Sequence, residues 1–143
     1  MRYRGAGVTE LISDRTAAFL AGVMPVVVGV RRRGGAVKLN PAWYEYRDDR
    51  FWLNSWRGAH WLAHVERERA AALLFLDPAD MYRLVHVDAR LIDTTGEGAV
   101  EHLDSLSYRY RGGPYRSRSR VPQQRVIVQL APERVRSSLD WLA

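Results

Sequence analysis

The segment Asn54-Ser-Trp-Arg-Gly-Ala-His-Trp61 gathers an amide, a hydroxyl, a guanidinium and an imidazole within eight residues. A strand-like run of aromatics ends there in polar side chains, and helical periodicity begins just after the glycine. A helix start carries unpaired N–H groups and the positive end of the helix dipole. A hydroxyl, Arg57 and backbone amides converging on it would seat an anion such as phosphate. The alternative is an ordinary turn, with Ser55 or Asn54 as helix cap and Arg57 in solvent. Nearby, Asn40-Pro-Ala-Trp-Tyr-Glu-Tyr46 places Trp43 within reach of Trp52 if the two strands pair through an Asp48-Asp49 turn. Flat aromatic walls beside an anion seat suit a planar, phosphorylated ligand, although such clusters also form ordinary core.

Other chemistries find little support. His60 and His64 are four apart and share a helix face, as two metal ligands would, but Glu66 faces away and no third ligand is evident. A solvent-facing or hydrogen-bonded pair is the better expectation, and no metal is expected. There is no nucleophile elbow, no phosphate-binding GxxxxGK[ST] loop and no HExxH. The chain of 143 residues has no cysteine, which excludes a disulfide scaffold, a zinc finger, an iron–sulfur cluster and a thiol nucleophile. No apolar run is long enough to span a bilayer, and Met1–Gly7 lacks the apolar centre of a secretion signal. A cytoplasmic protein of one domain over residues 1–143 is expected.

The formal net charge of +6 suggests an anionic partner. Lys38 is the only lysine, so arginine supplies the other 21 of the 22 basic residues. A genomic preference for arginine codons explains this as well as a need for the planar fork that grips phosphate and carboxylate.

Periodicity gives the strands and helices that carry these residues. Thr9–Gly22 reads as a helix with Leu11, Ala18, Phe19 and Ala21 near one stripe. Met24–Arg31 is a β-branched strand turning through Arg32-Arg33-Gly34-Gly35, and Ala36–Arg47 is its return, interrupted at Pro41. Phe51–Ser55 is a third strand, completing a meander. A helix follows with Trp61, Leu62 and Val65 inward. Ala70–Leu76 and Met81–Leu91 are the next strands, joined by Asp77-Pro78-Ala79-Asp80. Gly96–Tyr110 is a helix with Val100, Leu103, Leu106 and Ser107 on one face, Arg111–Val121 is a polar loop, and Arg125–Leu130 is the last strand, with Pro132 opening a short tail. No βαβ repeat occurs. The expected architecture is mainly β, a six-stranded antiparallel barrel with helices at its ends or sides.

Taken in order, MPVVVGV, GAVKLNPAWYEY, RFWLNSWRG, AAALLFLD, YRLVHVDA and EHLDSLSYRYRGGPY resemble the pyridoxamine 5′-phosphate oxidase-like flavin-binding split barrels. More narrowly, they resemble the flavin/deazaflavin oxidoreductase branch that includes users of coenzyme F420. The resemblance spans nearly the whole chain; NPAWYEY and FWLNSWRG are its most specific pieces. It implies a homodimer of split β-barrels with two cofactors in grooves at the subunit interface. It also implies a phosphate held just after the third strand, at Arg57 and less closely at His60. Asn40, Pro41, Ala42 and Trp43 of one strand and Leu53, Asn54 and Ser55 of the next would line the groove, with Trp56, Gly58 and Trp61 completing the cofactor-binding set. In one departure, Ala59-His60-Trp61 stands where family members often carry lysine or arginine.

The resemblance further implies hydride transfer between F420 or FMN and an unsaturated small molecule, with no catalytic side chain and with water, Tyr44 or Tyr46 supplying a proton. F420 ends in a polyanionic tail that Arg109, Arg111, Arg116, Arg118, Arg120 and Arg125 could meet, which favours it over FMN. Two other readings remain open: a non-catalytic split barrel binding haem or another tetrapyrrole, and a basic nucleic-acid module using the interleaved Tyr and Arg of Tyr108–Arg120.

Overall fold

The computed structural model describes residues 11–117 and 122–141. In chain order the elements are α1 (Asp14–Leu20), β1 (Val26–Arg31), β2 (Val37–Ala42), β3 (Tyr44–Arg47), β4 (Arg50–Trp56), α2 (His60–Glu68), β5 (Ala70–Asp77), β6 (Asp80–Thr95), α3 (Ala99–Arg111), β7 (Arg125–Ser137) and a 3-10 turn at Ser138–Asp140.

All strand pairs are antiparallel, in the order β2-β1-β5-β6-β7-β4-β3. The two edge strands, β2 and β3, are joined by the single residue Trp43. Two residue steps reach at most about 7 Å, so the opposite edges must meet and the sheet must curl into a split barrel. The expected fold class is therefore observed, with one refinement. The single strand expected over Ala36–Arg47 divides at Trp43 rather than at Pro41, giving seven strands among the described residues in place of six. Pro41 pairs opposite Val27 within β2. The three-strand meander is corrected as well: β1–β2 and β3–β4 are hairpins at opposite ends of the sheet, because the chain crosses the barrel seam between them.

The β3–β4 turn has both Asp48 and Asp49 at φ +55°, the left-handed pair that matches strand twist in a two-residue hairpin. Aspartate tolerates that region, and here Asp49 also accepts a hydrogen bond from the Tyr46 hydroxyl at 3.2 Å. β1, β4 and β5 alternate between core and outer faces, sending Val26, Val28, Phe51, Leu53, Leu73 and Phe75 fully inside. Tyr44 joins them from β3, its ring edge-on to Phe75 at 4.8 Å and its hydroxyl donating to Leu20 O at 2.7 Å.

Several boundaries differ from expectation. The first helix is capped by Ser13, whose Oγ accepts from the Thr16 N–H, and it buries Thr16 and Leu20 in place of the predicted stripe. Thr9 and Glu10 lie outside the described residues. Trp61, Leu62 and Val65 are buried on α2 as expected, but Val100 on α3 is exposed and His102 takes an inward position instead. β7 runs through Pro132 to Ser137, so no tail begins there. Proline is tolerated because the β4 ladder ends at Leu130 and the β6 register shifts beside it, at Asp88/Ala89. Among the described residues no helix is long and apolar enough to cross a membrane.

Candidate functional site

The barrel seam creates the site. Where β2 passes into β3, the end of β4, the first turn of α2 and the inner face of α3 surround a cleft of about 400 Å³, a size typical of small-molecule sites. Its walls include Asn40, Pro41, Ala42, Trp43, Asn54, Ser55, Trp56 and Trp61, which are eight of the twelve residues expected from sequence. Leu53 is fully buried in the core behind them, and Arg57, Gly58 and His60 do not line the cleft. The remaining walls come from Pro25, Leu103, Leu106, Tyr115 and Arg125. Leu103 and Leu106 were legible as a helix face but not as cleft wall, because only the docking of α3 on β4 and β7 brings them there.

The aromatic wall differs in its partners. Trp43 stacks on Tyr110, centroids 5.3 Å apart and planes 12° from parallel, and does not meet Trp52. The register sets Glu45 opposite Trp52, and the Trp52 ring instead lies under the Arg47 guanidinium at 3.7 Å. Tyr110 is held in turn, its hydroxyl donating to Met24 O at 2.6 Å, so the Trp43 face is braced from behind.

The first turn of α2 is open. Ala59 occupies the cap position with no side-chain hydrogen bond, and neither Ser55 nor Asn54 caps it. Gly58 has φ +124°, and a Cβ there would come within 2.3 Å of the Trp56 ring, so glycine is what lets Trp56 fold back at the cleft edge. Arg57 donates through Nη1 to both carboxylate oxygens of Glu66 at 2.9 Å.

A polar chain runs inward from the cleft. Arg125 Nε donates to Asn54 Oδ1 at 3.0 Å, which turns the Asn54 amide nitrogen toward Ala99 O at 2.9 Å and His102 Nδ1 at 3.0 Å. An amide nitrogen can only donate, so His102 Nδ1 is a bare acceptor and the imidazole proton sits on Nε2. That Nε2 lies 3.2 Å from Glu45 Oε1, so the neutral imidazole turns its N–H dipole toward the carboxylate, though misaligned for a good hydrogen bond. His102 holds the Glu45 carboxyl below its ordinary range, against the opposing effect of burial, and Arg47, at 3.1 Å, adds to the pull. Burial lowers the Arg125 pKa. Ser55 is 2% exposed, lines the cleft, and its Oγ has no hydrogen-bond partner.

Neither candidate tyrosine lines the cleft: burial pushes the Tyr44 phenol well up, and the Tyr46 phenol, on the β3–β4 hairpin, is pushed up to about 12 by burial and Asp49. Of the arginines expected to meet a polyanionic tail, Arg109 donates to Ala21 O and Gly22 O, Arg111 and Arg116 are exposed, and Arg118 and Arg120 lie outside the described residues. His64 Nδ1 is bonded to Arg67 Nη1 at 2.8 Å, and among the described residues no group of three side chains is placed to hold a metal. A second concavity of about 470 Å³, at the opposite end of β4, is lined by Asp48, Asp49, Arg50, Arg90 and Glu133. Arg90 and Glu133 pair at 3.4 Å there, and among the described residues it contains no orphaned buried polar atom.

A curled antiparallel sheet of this topology is a split barrel. Residues 12–139 match the family described as pyridoxamine 5′-phosphate oxidase, and the chain belongs to that family. Among solved structures, an F420 reductase superposes with a TM-score of 0.74 at 18% identity, over 83% of this chain and 94% of that one. A conserved hypothetical protein from Mycobacterium tuberculosis gives 0.65 at 19% identity, over 100% and 91%. A candidate pyridoxamine 5′-phosphate oxidase from Lactobacillus delbrueckii gives 0.59 at 13%, over 88% and 93%. At these identities the likeness establishes the fold. No curated protein matches the chain significantly.

Proposed function

We propose that this protein is an oxidoreductase using a flavin-type cofactor, F420 in first place and FMN in second, to transfer hydride to or from an unsaturated small molecule. The observation that carries the reading is the cleft itself. It has flat aromatic and apolar walls at Trp43, Pro41, Leu103 and Leu106, and a buried hydroxyl, Ser55 Oγ, left without a partner. Such an orphan costs free energy in the empty protein and fits a site that a polar ring edge completes. Family membership supports the same class of ligand.

The bound cofactor would supply the hydride chemistry. The chain's own contribution is binding and exclusion of water. Trp43, braced by Tyr110, presents a rigid face, while Trp61, Leu103 and Leu106 keep the interior apolar. With Tyr44 and Tyr46 outside the cleft, a substrate proton would come from water. Exposed Arg116 directly follows the cleft-lining Tyr115, where a polyanionic tail would leave the cleft, and this supports F420 over FMN. Cytoplasmic placement and a homodimer belong to the same reading. Val37 and Leu39, 62% and 68% exposed, continue the Pro41 face of β2 away from the cleft, so a second subunit covering them would adjoin the site.

The deciding experiment is a titration of the purified protein with F420 and with FMN, read by quenching of tryptophan fluorescence from Trp43, Trp56 and Trp61. Saturable binding is expected, tighter for F420, to a dimer by light scattering. Failure of both to bind at micromolar concentration overturns the proposal.

A further inference from the structure

Two arginines compete for the role of anion receptor, and their surroundings differ. Arg57 is already neutralised. Its Nη1 spans the Glu66 carboxylate, and that carboxylate also accepts from Thr94 Oγ1 at 3.1 Å, so the pair is held from both sides. Arg125 lines the cleft, half-buried, and its hydrogen-bond acceptors are neutral: Asn54 Oδ1 at 3.0 Å and Gln123 Oε1 at 2.8 Å, with the Tyr115 ring 5.7 Å away. Among the described residues no carboxylate pairs with it. A guanidinium has five N–H donors in a rigid fork, and those two bonds leave donors over. A partly desolvated charge without a counter-ion is costly, and an anion entering the cleft relieves that cost.

We propose that Arg125, rather than Arg57, receives the anionic group of the cleft's ligand, a phosphate ester or similar oxyanion, and that Asn54, His102 and Glu45 hold its guanidinium in position. The assignment rests on the reading that the cleft takes an anionic planar ligand. His102 acts through Asn54 and is a positioning residue. Its bare Nδ1 accepts from the Asn54 amide and so fixes the amide oxygen toward Arg125 Nε, while Glu45 at 3.2 Å favours the Nε2 proton that leaves Nδ1 bare.

The test compares FMN with riboflavin, which lacks the phosphate, and adds inorganic phosphate alone, all read by tryptophan fluorescence at fixed ionic strength. The proteins are the wild type, Arg125→Gln, Arg57→Gln, His102→Asn and His102→Gln, each checked for folding by circular dichroism. Wild type is expected to prefer FMN by about 10- to 100-fold, the scale of a charge-assisted hydrogen bond. Arg125→Gln should lose that preference while keeping its riboflavin affinity, and Arg57→Gln should retain it. His102→Asn, which keeps an acceptor near the Nδ1 position, should retain the preference. His102→Gln, whose amide lies nearer the Nε2 position, should weaken it; an unchanged preference there overturns the positioning role. Loss in Arg57→Gln with retention in Arg125→Gln overturns the receptor assignment. If neither flavin binds, FMN fails as the cofactor while the F420 titration still decides the redox reading, and the phosphate arm alone decides this one. A wild-type response to phosphate that disappears in Arg125→Gln but not in Arg57→Gln upholds the receptor, and no wild-type response overturns it.

Discussion

Replacing Asn54 by leucine removes the amide at the crossing point of the buried polar chain while keeping the same branched heavy-atom skeleton. Asn54 accepts from Arg125 Nε at 3.0 Å and donates to Ala99 O at 2.9 Å and His102 Nδ1 at 3.0 Å. Neutral hydrogen bonds contribute about 1 kcal/mol each, and one to a charged group about 1.5–3 kcal/mol. The substitution also strands the buried Nδ1 of His102 without a donor, whereas the leucine methyls recover part of the loss through apolar burial. The expected net destabilisation is about 2–4 kcal/mol. Urea unfolding followed by tryptophan fluorescence should show that loss with the slope m unchanged. The double variant Asn54→Leu, His102→Leu should lose less than the two single losses combined, because the same interaction is removed twice. A loss below about 1 kcal/mol, or strict additivity in the cycle, would show that the chain of bonds is not made in solution.

Glu45 gives a pH prediction with a definite sign. Its folded pKa lies below the unfolded value, so the stability it contributes is present above the carboxylate range and disappears as pH falls through the folded pKa. Urea midpoints measured from pH 6 to pH 3 should therefore drop more steeply for wild type than for Glu45→Gln; parallel curves refute the coupling to His102 and Arg47. Ser55→Ala removes an orphaned buried hydroxyl, so its melting temperature should equal or exceed that of wild type while affinity for FMN or F420 falls. Destabilisation by more than about 1 kcal/mol would mean that Ser55 Oγ is satisfied within the protein itself. Gly58→Ala puts a Cβ against the Trp56 ring at φ +124°, and should cost about 1–3 kcal/mol in thermal unfolding and alter Trp56 fluorescence. Unchanged stability and spectrum would show that Trp56 is not folded over the glycine.

Features that repeat over short distances were legible in the order of residues alone. The strand-like run Phe51–Ser55 made β4 legible, and the helical spacing of Trp61, Leu62 and Val65 made α2 legible, because both signals lie within a few neighbouring residues whatever packs opposite. The same order also brought Asn40–Trp43 and Asn54–Trp56 forward as one candidate surface. How the ends meet emerged only with the folded chain. Closure of the sheet at Trp43, continuation of β7 through Pro132 and the inward turn of His102 all depend on pairings far apart in the chain, which local patterning does not encode. The same holds for charge. Arg57 and Arg125 are equal as letters, and what separates them is that Glu66, nine residues from Arg57, neutralises it while Arg125 folds against neutral amides at the cleft. An arginine's availability is set by the partner that reaches it first, and partners are chosen by the fold.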